Sequence, residues 1–316
     1  MLKTVFFGTP QIAVPFLKVL AEMTEVKLVI TQPDRPKGRG LVLTPCPVKE
    51  FALKNNLPVA SPEKLKDFVP NITALNADIG ICVAYGKIFR KPALDALKQG
   101  IVNIHFSLLP KYRGASPVQS ALIAGETKTG ITLFSIDEGM DTGAIIATKE
   151  TEILPQDNAV TLFEKLTNIA TEVLKDFLIK AENQTYTKTA QSGTPTFAPL
   201  ISKEQTFISF ENHTAEQINN LVRALAAGAP SFAKANTPDG QIVQIIKTSL
   251  PLPQQNTAKN YQTGALISIE RNVGFLVKCK EGVLSVETVR PAGKSLMPAF
   301  AYINGKKYQE GNIIFK

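Results

Sequence analysis

The first part of the chain alternates short apolar runs with longer stretches of helical periodicity, and this alternation restricts the possible folds most. Short strands that alternate with amphipathic helices are typical of βαβ units around a parallel sheet. Predicted strands lie at 4–7, 26–31, 78–83, 100–104 and 131–136. Predicted helices lie at 12–22, 48–55, 62–75, 91–98 and 117–124. We therefore predict an α/β domain with a Rossmann-like, mostly parallel sheet.

The turn after the first predicted strand differs from that of nicotinamide-binding proteins. Gly8-Thr9-Pro10 follows this strand, and the next glycine is Gly38. The G-x-G-x-x-G fingerprint of dinucleotide binding is therefore absent. The crevice at the carboxyl ends of the strands, where this architecture binds ligands, is still expected.

The second part of the chain changes character. An amphipathic helix is predicted at 158–182, followed by an aperiodic, proline-containing stretch at 183–205. Thr214 and Gln217 match a capping box before a helix that Gly228 and Pro230 stop. Short strands follow at 242–247, 265–269, 274–279 and 283–289. We predict a Rossmann-like domain over 1–189, a linker over 190–205, and a small OB-like β-barrel over 206–316.

Targeting signals and cysteine spacing exclude several classes of protein. No run of about 18 apolar residues occurs, and the N-terminus lacks the features of a signal peptide, so we expect a cytoplasmic protein without a membrane span. Cys46, Cys82 and Cys279 are odd in number and far apart. They fit neither a disulfide framework nor a zinc site, so we expect buried, inert thiols and no metal.

The net charge of +8 is unevenly distributed over the 316 residues. Residues 1–204 carry a net charge of +3 and residues 205–316 a net charge of +5. A moderate excess of this size favours an anionic partner only weakly. The smaller C-terminal part is therefore the more basic one.

The first candidate for chemistry is the segment Asn103-Ile104-His105. Side chains alternate along a strand, so Asn103 and His105 point to the same side at the carboxyl end of the predicted fourth strand. For an arbitrary Asn-x-His, a turn cap and a hydrogen-bonded core histidine would be the commoner explanation. The position beside Ser107-Leu108-Leu109-Pro110 and the presence of just two histidines in the chain favour a functional role.

Two loops supply further candidates. Asp141 lies in a loop flanked by Gly139 and Gly143, which permit close backbone approach to another group, whereas Asp137 and Glu138 fit a solvated turn. The loop at 32–41 follows the second strand and carries three basic residues among prolines and glycines. It could be a solvated connection, or a basic loop that reaches a phosphate backbone.

Over nearly its whole length, the sequence resembles the methionyl-tRNA formyltransferase family, a branch of the 10-formyltetrahydrofolate-dependent formyltransferases. The resemblance depends on these strings: Phe7-Gly8-Thr9-Pro10, Gln32-Pro33-Asp34-Arg35-Pro36, Gly38-Arg39-Gly40, Val83-Ala84-Tyr85-Gly86, Asn103-Ile104-His105, Ser107-Leu108-Leu109-Pro110, Arg113-Gly114-Ala115, Asp141-Thr142-Gly143, Ile201-Ser202-Lys203-Glu204 and Pro291-Ala292-Gly293-Lys294. The Asn-x-His, Ser-Leu-Leu-Pro and Asp strings belong to all these enzymes, whereas the basic-loop strings and the C-terminal strings are narrower and select the tRNA branch.

The resemblance implies a role for each matched position. Asn103, His105 and Asp141 would be the catalytic trio. The residues implied to bind the folate cosubstrate are Ser107, Leu108, Leu109, Pro110, Tyr85 and Gly86. The residues implied to contact tRNA are Arg35, Lys37 and Arg39, with the C-terminal barrel holding more of it. The implied partners are 10-formyltetrahydrofolate and initiator methionyl-tRNA, and no metal is implied. Since no exposed apolar stripe in the sequence demands an oligomer, we expect a monomer.

The division of labour within the trio stays open. Asn103 can donate to the oxyanion of the tetrahedral intermediate. His105 could be a second donor when protonated, with Asp141 orienting its ring. Alternatively, Asp141 takes the proton of the attacking amine through a water.

The sequence departs from the family at three places, and two other functions remain possible. Phe106 stands where the family usually has glycine, the segment 206–210 lacks the usual Asp-Trp pair, and 225–230 replaces an aromatic, proline-rich turn. A folate-dependent formyltransferase or hydrolase acting on an amino sugar or glycinamide nucleotide would share the trio. A non-catalytic RNA-binding protein would use the barrel alone.

Overall fold

The computed structural model describes residues 1–37, 42–251 and 260–316, apart from the side chains of Lys37 and Val42. The first part of the chain alternates strands and helices as its sequence predicts. In chain order the elements are β1 (Lys3–Gly8), α1 (Val14–Met23), β2 (Glu25–Ile30), β3 (Arg35–Lys37), β4 (Val42–Thr44), α2 (Pro47–Lys54), β5 (Val59–Ala60), α3 (Leu65–Ala74), β6 (Ile79–Val83), α4 (Lys91–Leu94), β7 (Ile101–His105), α5 (Pro117–Ile123), β8 (Lys128–Ser135), β9 (Ile145–Glu152) and α6 (Ala159–Glu182).

The central sheet has the strand order β5-β2-β1-β6-β7-β8-β9 among the described residues. Strands β5 to β7 in this order pair in parallel, whereas β8 is antiparallel to β7 and β9 is antiparallel to β8. The carboxyl ends of β1, β6 and β7 therefore meet at one edge of the sheet. The predicted mostly parallel α/β class is confirmed.

Several local predictions need correction. The helix predicted at 91–98 ends at Leu94, because the chain must turn through Gly100, with a φ of 75°, to enter β7. The helix predicted from residue 62 begins at Leu65. Two further features were not predicted. Strand β9 has no buried side chain, and the short antiparallel pair β3–β4 places part of the predicted basic loop, Arg35–Lys37, in a strand.

Apolar residues from the sheet and helices form the core of this part. Phe7, Tyr85 and Phe89 cluster with ring centroids 5.0–5.7 Å apart. Strand residues Val5, Ile30 and Ile101 pack in the same cluster. The packing fixes the end of β6, and hence the start of the loop that follows it.

The C-terminal part contains an antiparallel β-domain with two helices. Its elements are α7 (Ala215–Ala224), β10 (Ala233–Asn236), β11 (Ile242–Ser249), β12 (Leu266–Glu270), β13 (Gly274–Lys278), β14 (Val283–Pro291), β15 (Met297–Pro298) and α8 (Ala299–Lys306). The strand order is β10-β11-β14-β13-β12, with β15 on β14. The predicted small C-terminal β-domain is confirmed; its strands are antiparallel, and α8 was not predicted.

Local signals and core packing account for this β-domain. The capping box before α7 forms as predicted. The backbone N–H of Gln217 donates to Thr214 Oγ1 at 3.2 Å, and the backbone N–H of Thr214 donates to Gln217 Oε1 at 2.9 Å. In the core, the ring of Phe210 stacks on Phe315 with centroids 5.1 Å apart.

The chain divides into two compact units. One comprises 1–117, 128–152 and 163–198, and the other comprises 118–127, 153–162 and 199–316. The domain limits predicted at 189 and 205 stay predictions. Among the described residues no helix is long and apolar enough to cross a membrane. Cys46, Cys82 and Cys279 are free and buried, as expected.

Candidate active site

The histidine at the end of β7 is buried and held by the backbone. His105 is 5% exposed, and its Nε2 lies 2.9 Å from the carbonyl oxygen of Tyr112. A carbonyl oxygen can only accept, so Nε2 must carry the proton in this hydrogen bond. The other ring nitrogen, Nδ1, lies 3.7 Å from Oδ2 of Asp141. The fold thus brings together two of the three residues predicted to be catalytic.

Asp141 lies in the β8–β9 loop and has a left-handed backbone. Its φ is 53°, and its Oδ2 accepts a hydrogen bond from the Gly114 N–H at 2.8 Å. A Cβ on Gly143 would lie 1.7 Å from the carbonyl oxygen of Ser135, so only glycine fits there. This is the close backbone approach that the flanking glycines predict.

Asn103 completes the predicted trio on the same cavity. Asn103, His105 and Asp141 all line a cavity of about 580 Å³. Within the described ranges the Asn103 amide has no protein hydrogen-bond partner, although it is only partly exposed. An amide with free N–H donors is available to a ligand oxygen.

Asp137 and Glu138 behave as the solvated turn that the sequence favours. Asp137 Oδ1 accepts from the Gly139 N–H at 3.0 Å and from Thr142 Oγ1 at 2.6 Å. Glu138 Oε1 accepts from the Lys91 N–H at 3.3 Å. Both residues also line the cavity, so the turn forms part of its rim.

The loop after β6 forms another side of the cavity. Tyr85 and Gly86, which the resemblance assigns to the folate site, line it. The Tyr85 carbonyl oxygen accepts from Gln32 Nε2 at 2.8 Å, and Gly86 has a φ of 75°. Burial, with a smaller contribution from Cys82, raises the pKa of the Tyr85 hydroxyl to about 12, so this hydroxyl stays neutral at physiological pH.

Cys82 lines the cavity but is not a nucleophile. It is 5% exposed, and burial raises the pKa of its thiol to about 12. The thiolate is the reactive form of cysteine. The thiol therefore serves as packing, as the sequence analysis expects.

Residues Ser107 to Pro110 build the turn that follows β7. Ser107 is fully buried, and its Oγ donates to the Lys111 carbonyl oxygen at 2.6 Å. Thr132 Oγ1 donates to the Ser107 carbonyl oxygen at 2.7 Å and accepts from the Leu109 N–H at 3.1 Å. Among the described residues that line the cavity, none belongs to 107–110. Their contact with folate stays a prediction, while the turn they form returns Tyr112 to His105.

Aromatic rings form another part of the cavity wall. The ring of Phe106 contacts Phe163 with centroids 5.8 Å apart and Phe16 with centroids 6.3 Å apart, both edge to face. Phe106 and Phe163 line the cavity together with Ile12, Ala115 and Pro117. Phe106, one of the three positions where we expect a departure from the family, therefore lines the cavity.

The structure also shows site residues that the sequence analysis missed. Gln191 Nε2 donates to the carbonyl oxygens of Asp141 and Gly143 at 2.8 and 2.9 Å. The guanidinium of Arg113 donates to Gln191 Oε1 at 2.6 and 3.2 Å. Arg113 belongs to a string that the resemblance uses, but Gln191 lies in an aperiodic stretch without any motif.

The basic loop lies only partly within the described residues. Arg35 lies in β3 and is exposed. The side chain of Lys37 and the whole of Arg39 lie outside the described residues. Their predicted contacts with tRNA stay predictions. Among the residues that the structure describes, no cluster of His, Cys, Asp and Glu could hold a metal ion.

Comparisons with known proteins match both parts of the chain. A model described as formyl transferase matches residues 2–178, and a model described as formyl transferase, C-terminal domain matches residues 200–307. The methionyl-tRNA formyltransferase of Elusimicrobium minutum is 47% identical and is covered over 100% of its length by 99% of this chain. That of Thermodesulfovibrio yellowstonii is 42% identical, with 97% of each chain covered.

A solved structure agrees with the fold. The N-formyltransferase of Helicobacter canadensis, in complex with folinic acid and dTDP-3-aminofucose, superposes with a TM-score of 0.66 at 21% identity, covering 90% of this chain and 99% of that one. At this identity the similarity supports the fold alone. Together, the two family models and the full-length relatives show that the chain belongs to the methionyl-tRNA formyltransferase family.

Proposed function

We propose that the chain transfers the formyl group of 10-formyltetrahydrofolate to the α-amino group of methionine on initiator methionyl-tRNA. The observation that carries this proposal is the pairing of His105 with Asp141, 3.7 Å apart, on the cavity that Asn103 also lines. An amide without a protein partner beside a His–Asp pair provides donors for an oxyanion and a site for proton transfer.

The reaction needs both a donor to the oxyanion and a group that transfers a proton. The amine nitrogen attacks the formyl carbon and forms a C–N bond, which gives a tetrahedral intermediate with an oxyanion and a cationic nitrogen. Collapse breaks the bond between the formyl carbon and N10 of the folate, while the nitrogen loses a proton and N10 gains one. Asn103 would donate to the oxyanion, and the His105–Asp141 pair would move the proton.

The hydrogen bond from His105 Nε2 to the Tyr112 carbonyl oxygen limits the roles that His105 and Asp141 can take in the reaction. Nε2 is used by the Tyr112 carbonyl, so Nδ1 is the ring nitrogen that remains for chemistry. If Nδ1 is protonated it donates towards Asp141 or the oxyanion, and if not it accepts. Asp141 is also held by the Gly114 N–H, which leaves its second oxygen for a water or the amine.

The cavity suits a folate. Its volume of about 580 Å³ is within the usual range of small-molecule sites, and its walls are largely apolar. A flat, partly apolar ring system packs well against such walls, and backbone groups of the loop at 84–89 can satisfy polar edges. No metal is required for this chemistry in the proposed scheme.

The tRNA partner is supported by charge and by the relatives. Arg35 is exposed at the base of the basic loop. In the C-terminal unit, Arg290 and Lys234 lie over the rings of Phe232 and Phe207, 4.9 and 5.2 Å from the centroids. Cations presented beside aromatic rings can contact phosphates and bases. We further propose that the enzyme acts in the cytoplasm as a monomer.

The test is direct assay of the product. Purified protein, 10-formyltetrahydrofolate and methionyl initiator tRNA are incubated, and formyl-methionyl-tRNA is measured on an acid gel. We expect formylation of initiator tRNA, a much lower rate with elongator methionyl-tRNA, and none with nucleotide-linked amino sugars. Formylation of an amino sugar or glycinamide nucleotide instead of the tRNA would support the rival transferase. Binding of tRNA without any transfer would support the non-catalytic alternative.

A chemical control accompanies the assay. Asp141→Asn keeps an oxygen for the Gly114 N–H but removes the negative charge beside His105. We expect kcat/KM to fall by about 100-fold or more. A variant with kcat/KM within a few-fold of the unaltered protein would show that the trio is not the catalytic centre.

A further inference from the structure

Residues 189–198, here called the bridging segment, join the two loops that carry the catalytic groups. At one end, Thr189 and Ile145 exchange two backbone hydrogen bonds of 2.7 and 2.8 Å, just beyond the Asp141 loop. At the other end, the Arg113 N–H donates to the Thr196 carbonyl, and the Ala198 N–H donates to the Arg113 carbonyl, at 2.8 and 2.7 Å. The segment therefore spans from the β8–β9 loop to the loop after β7.

Gln191 lies in the middle of this segment, and its side-chain amide both donates and accepts hydrogen bonds. Its Nε2 donates to the carbonyl oxygens of Asp141 and Gly143, and its Oε1 accepts two hydrogen bonds from Arg113. A guanidinium can only donate, so the amide oxygen must face Arg113 and the NH₂ group must face the two carbonyls. The orientation of the amide is therefore determined by chemistry.

Asp141 needs such support because of its backbone conformation. A φ of 53° lies in the left-handed region, which is unfavourable for a residue with a side chain. The two hydrogen bonds from Gln191 bracket the turn on either side of Thr142. They hold the carbonyls in the directions that this conformation requires, and the Asp141 carboxylate then points to Gly114 and His105.

The same segment also reaches the partner of His105. The Tyr112 N–H donates to Thr196 Oγ1 at 2.8 Å, while the Tyr112 carbonyl accepts from His105 Nε2. Tyr112 has a φ of 60°, another left-handed residue. Both members of the His–Asp pair are thus held by residues that the bridging segment contacts.

We propose that Gln191, oriented by Arg113, is a positioning residue for formyl transfer that holds Asp141 at its distance from His105. The inference rests on the function proposed above. It assigns a catalytic purpose to a stretch whose sequence gives no indication of one. It also makes a specific demand: Gln191 acts through Asp141, so its effect must vanish when the Asp141 carboxylate is removed.

The test is a double-mutant cycle of Gln191→Met and Asp141→Asn, with methionyl initiator tRNA and 10-formyltetrahydrofolate as substrates. Methionine preserves the length of the side chain but removes its donors and acceptor. In the unaltered background we expect Gln191→Met to lower kcat by about 10- to 100-fold, the size of effect that a small misplacement of a catalytic group produces. We expect both KM values to change by less than about threefold.

In the Asp141→Asn background, Gln191→Met should change kcat by less than about twofold, because the group it positions has already lost its charge. A residue that only maintains the fold would lower activity by the same factor in both backgrounds. Equal factors would therefore overturn the inference. So would a Gln191→Met variant with unchanged kcat.

Two further variants keep the result interpretable. Gln99→Met makes the same chemical change at a glutamine whose Nε2 donates to the Ala181 carbonyl, outside the site, and should leave kcat unchanged. Gln191→Glu retains the contact with Arg113 but replaces the donor with an acceptor, so it should fold and still lose kcat. If the unaltered protein makes no formyl-methionyl-tRNA, the proposed function fails. If it does and Gln191→Glu is as active, only this inference fails.

Discussion

The ring of Phe106 packs edge to face against Phe163, with centroids 5.8 Å apart and planes at 71°. Phe106 is 7% exposed and lies one residue after His105, which we predict to be catalytic. The family that the sequence resembles usually has glycine at this position. In this chain the ring of Phe106 therefore occupies a region of the cavity that a glycine would leave open.

Replacing this ring should affect both stability and binding. Phe106→Ala removes contacts with Phe16 and Phe163, so we expect the free energy of unfolding to fall by about 3 kcal/mol. We expect the KM of at least one substrate to rise several-fold, with kcat less affected because the trio is untouched. Denaturant unfolding and steady-state kinetics would measure the two effects. Phe177→Ala, which removes a buried ring that packs on Tyr186 elsewhere, is the matched control. Equal KM values in the two variants would contradict a role for Phe106 in the cavity.

Removing the amide of Asn103 should lower activity without loss of stability. The amide has no partner among the described residues, so Asn103→Ala breaks no internal hydrogen bond. We expect kcat to fall by about 100- to 1,000-fold, the cost of an oxyanion donor in other acyl transfers. The midpoint temperature of thermal unfolding should change by no more than a few degrees. An active variant, or an inactive one that is also strongly destabilised, would argue against this role.

The basic loop should contribute to tRNA binding alone. Arg39→Ala should raise the KM for methionyl initiator tRNA. The slope of the logarithm of the tRNA binding constant against the logarithm of salt concentration should become shallower by the amount expected for about one lost phosphate contact. The KM for folate and the thermal stability should not change. Lys66→Ala, on an exposed position of α3, is the control for general loss of charge. An identical KM and salt slope in both variants would exclude the predicted contact.

The carboxylate of Asp78 should make stability depend on pH. Burial alone would raise the pKa of Asp78, but hydrogen bonds from the Lys3 N–H and Lys98 Nζ, both 2.9 Å, outweigh it and lower the pKa. A lowered folded-state pKa contributes stability that is present above the unfolded value and is lost as pH falls through the folded value.

Asp78→Asn should therefore lower the free energy of unfolding by about 1 kcal/mol near neutral pH. The difference from the unaltered protein should shrink towards zero as pH falls below the ordinary range of an aspartate. Denaturant unfolding at a series of pH values measures this. A difference that does not depend on pH would mean that packing, rather than charge, explains the effect.

Much of the fold could be predicted because its signals are local. Hydrophobic runs located β1, β2, β6, β7 and β8, and the capping box located the start of α7. Exposed, polar β9 and the two-residue β5 escaped prediction, because they have too few buried side chains to produce a periodic pattern. Their assignment depends on pairing with neighbours that lie far away in the chain.

The sequence by itself determined which residues could perform the chemistry: Asn103 and His105 share a strand face, and Asp141 lies in a loop that glycines allow to bend tightly. The tertiary structure decided how His105 and Asp141 are held. Gln191 is 50 residues from Asp141 and 78 from Arg113 along the chain, yet it hydrogen-bonds to both. No local pattern encodes such contacts, because they form only when packing brings the bridging segment between two loops. The candidate pair His105 and Asp141 is therefore recognisable in the sequence, whereas its positioning is a property of the folded chain.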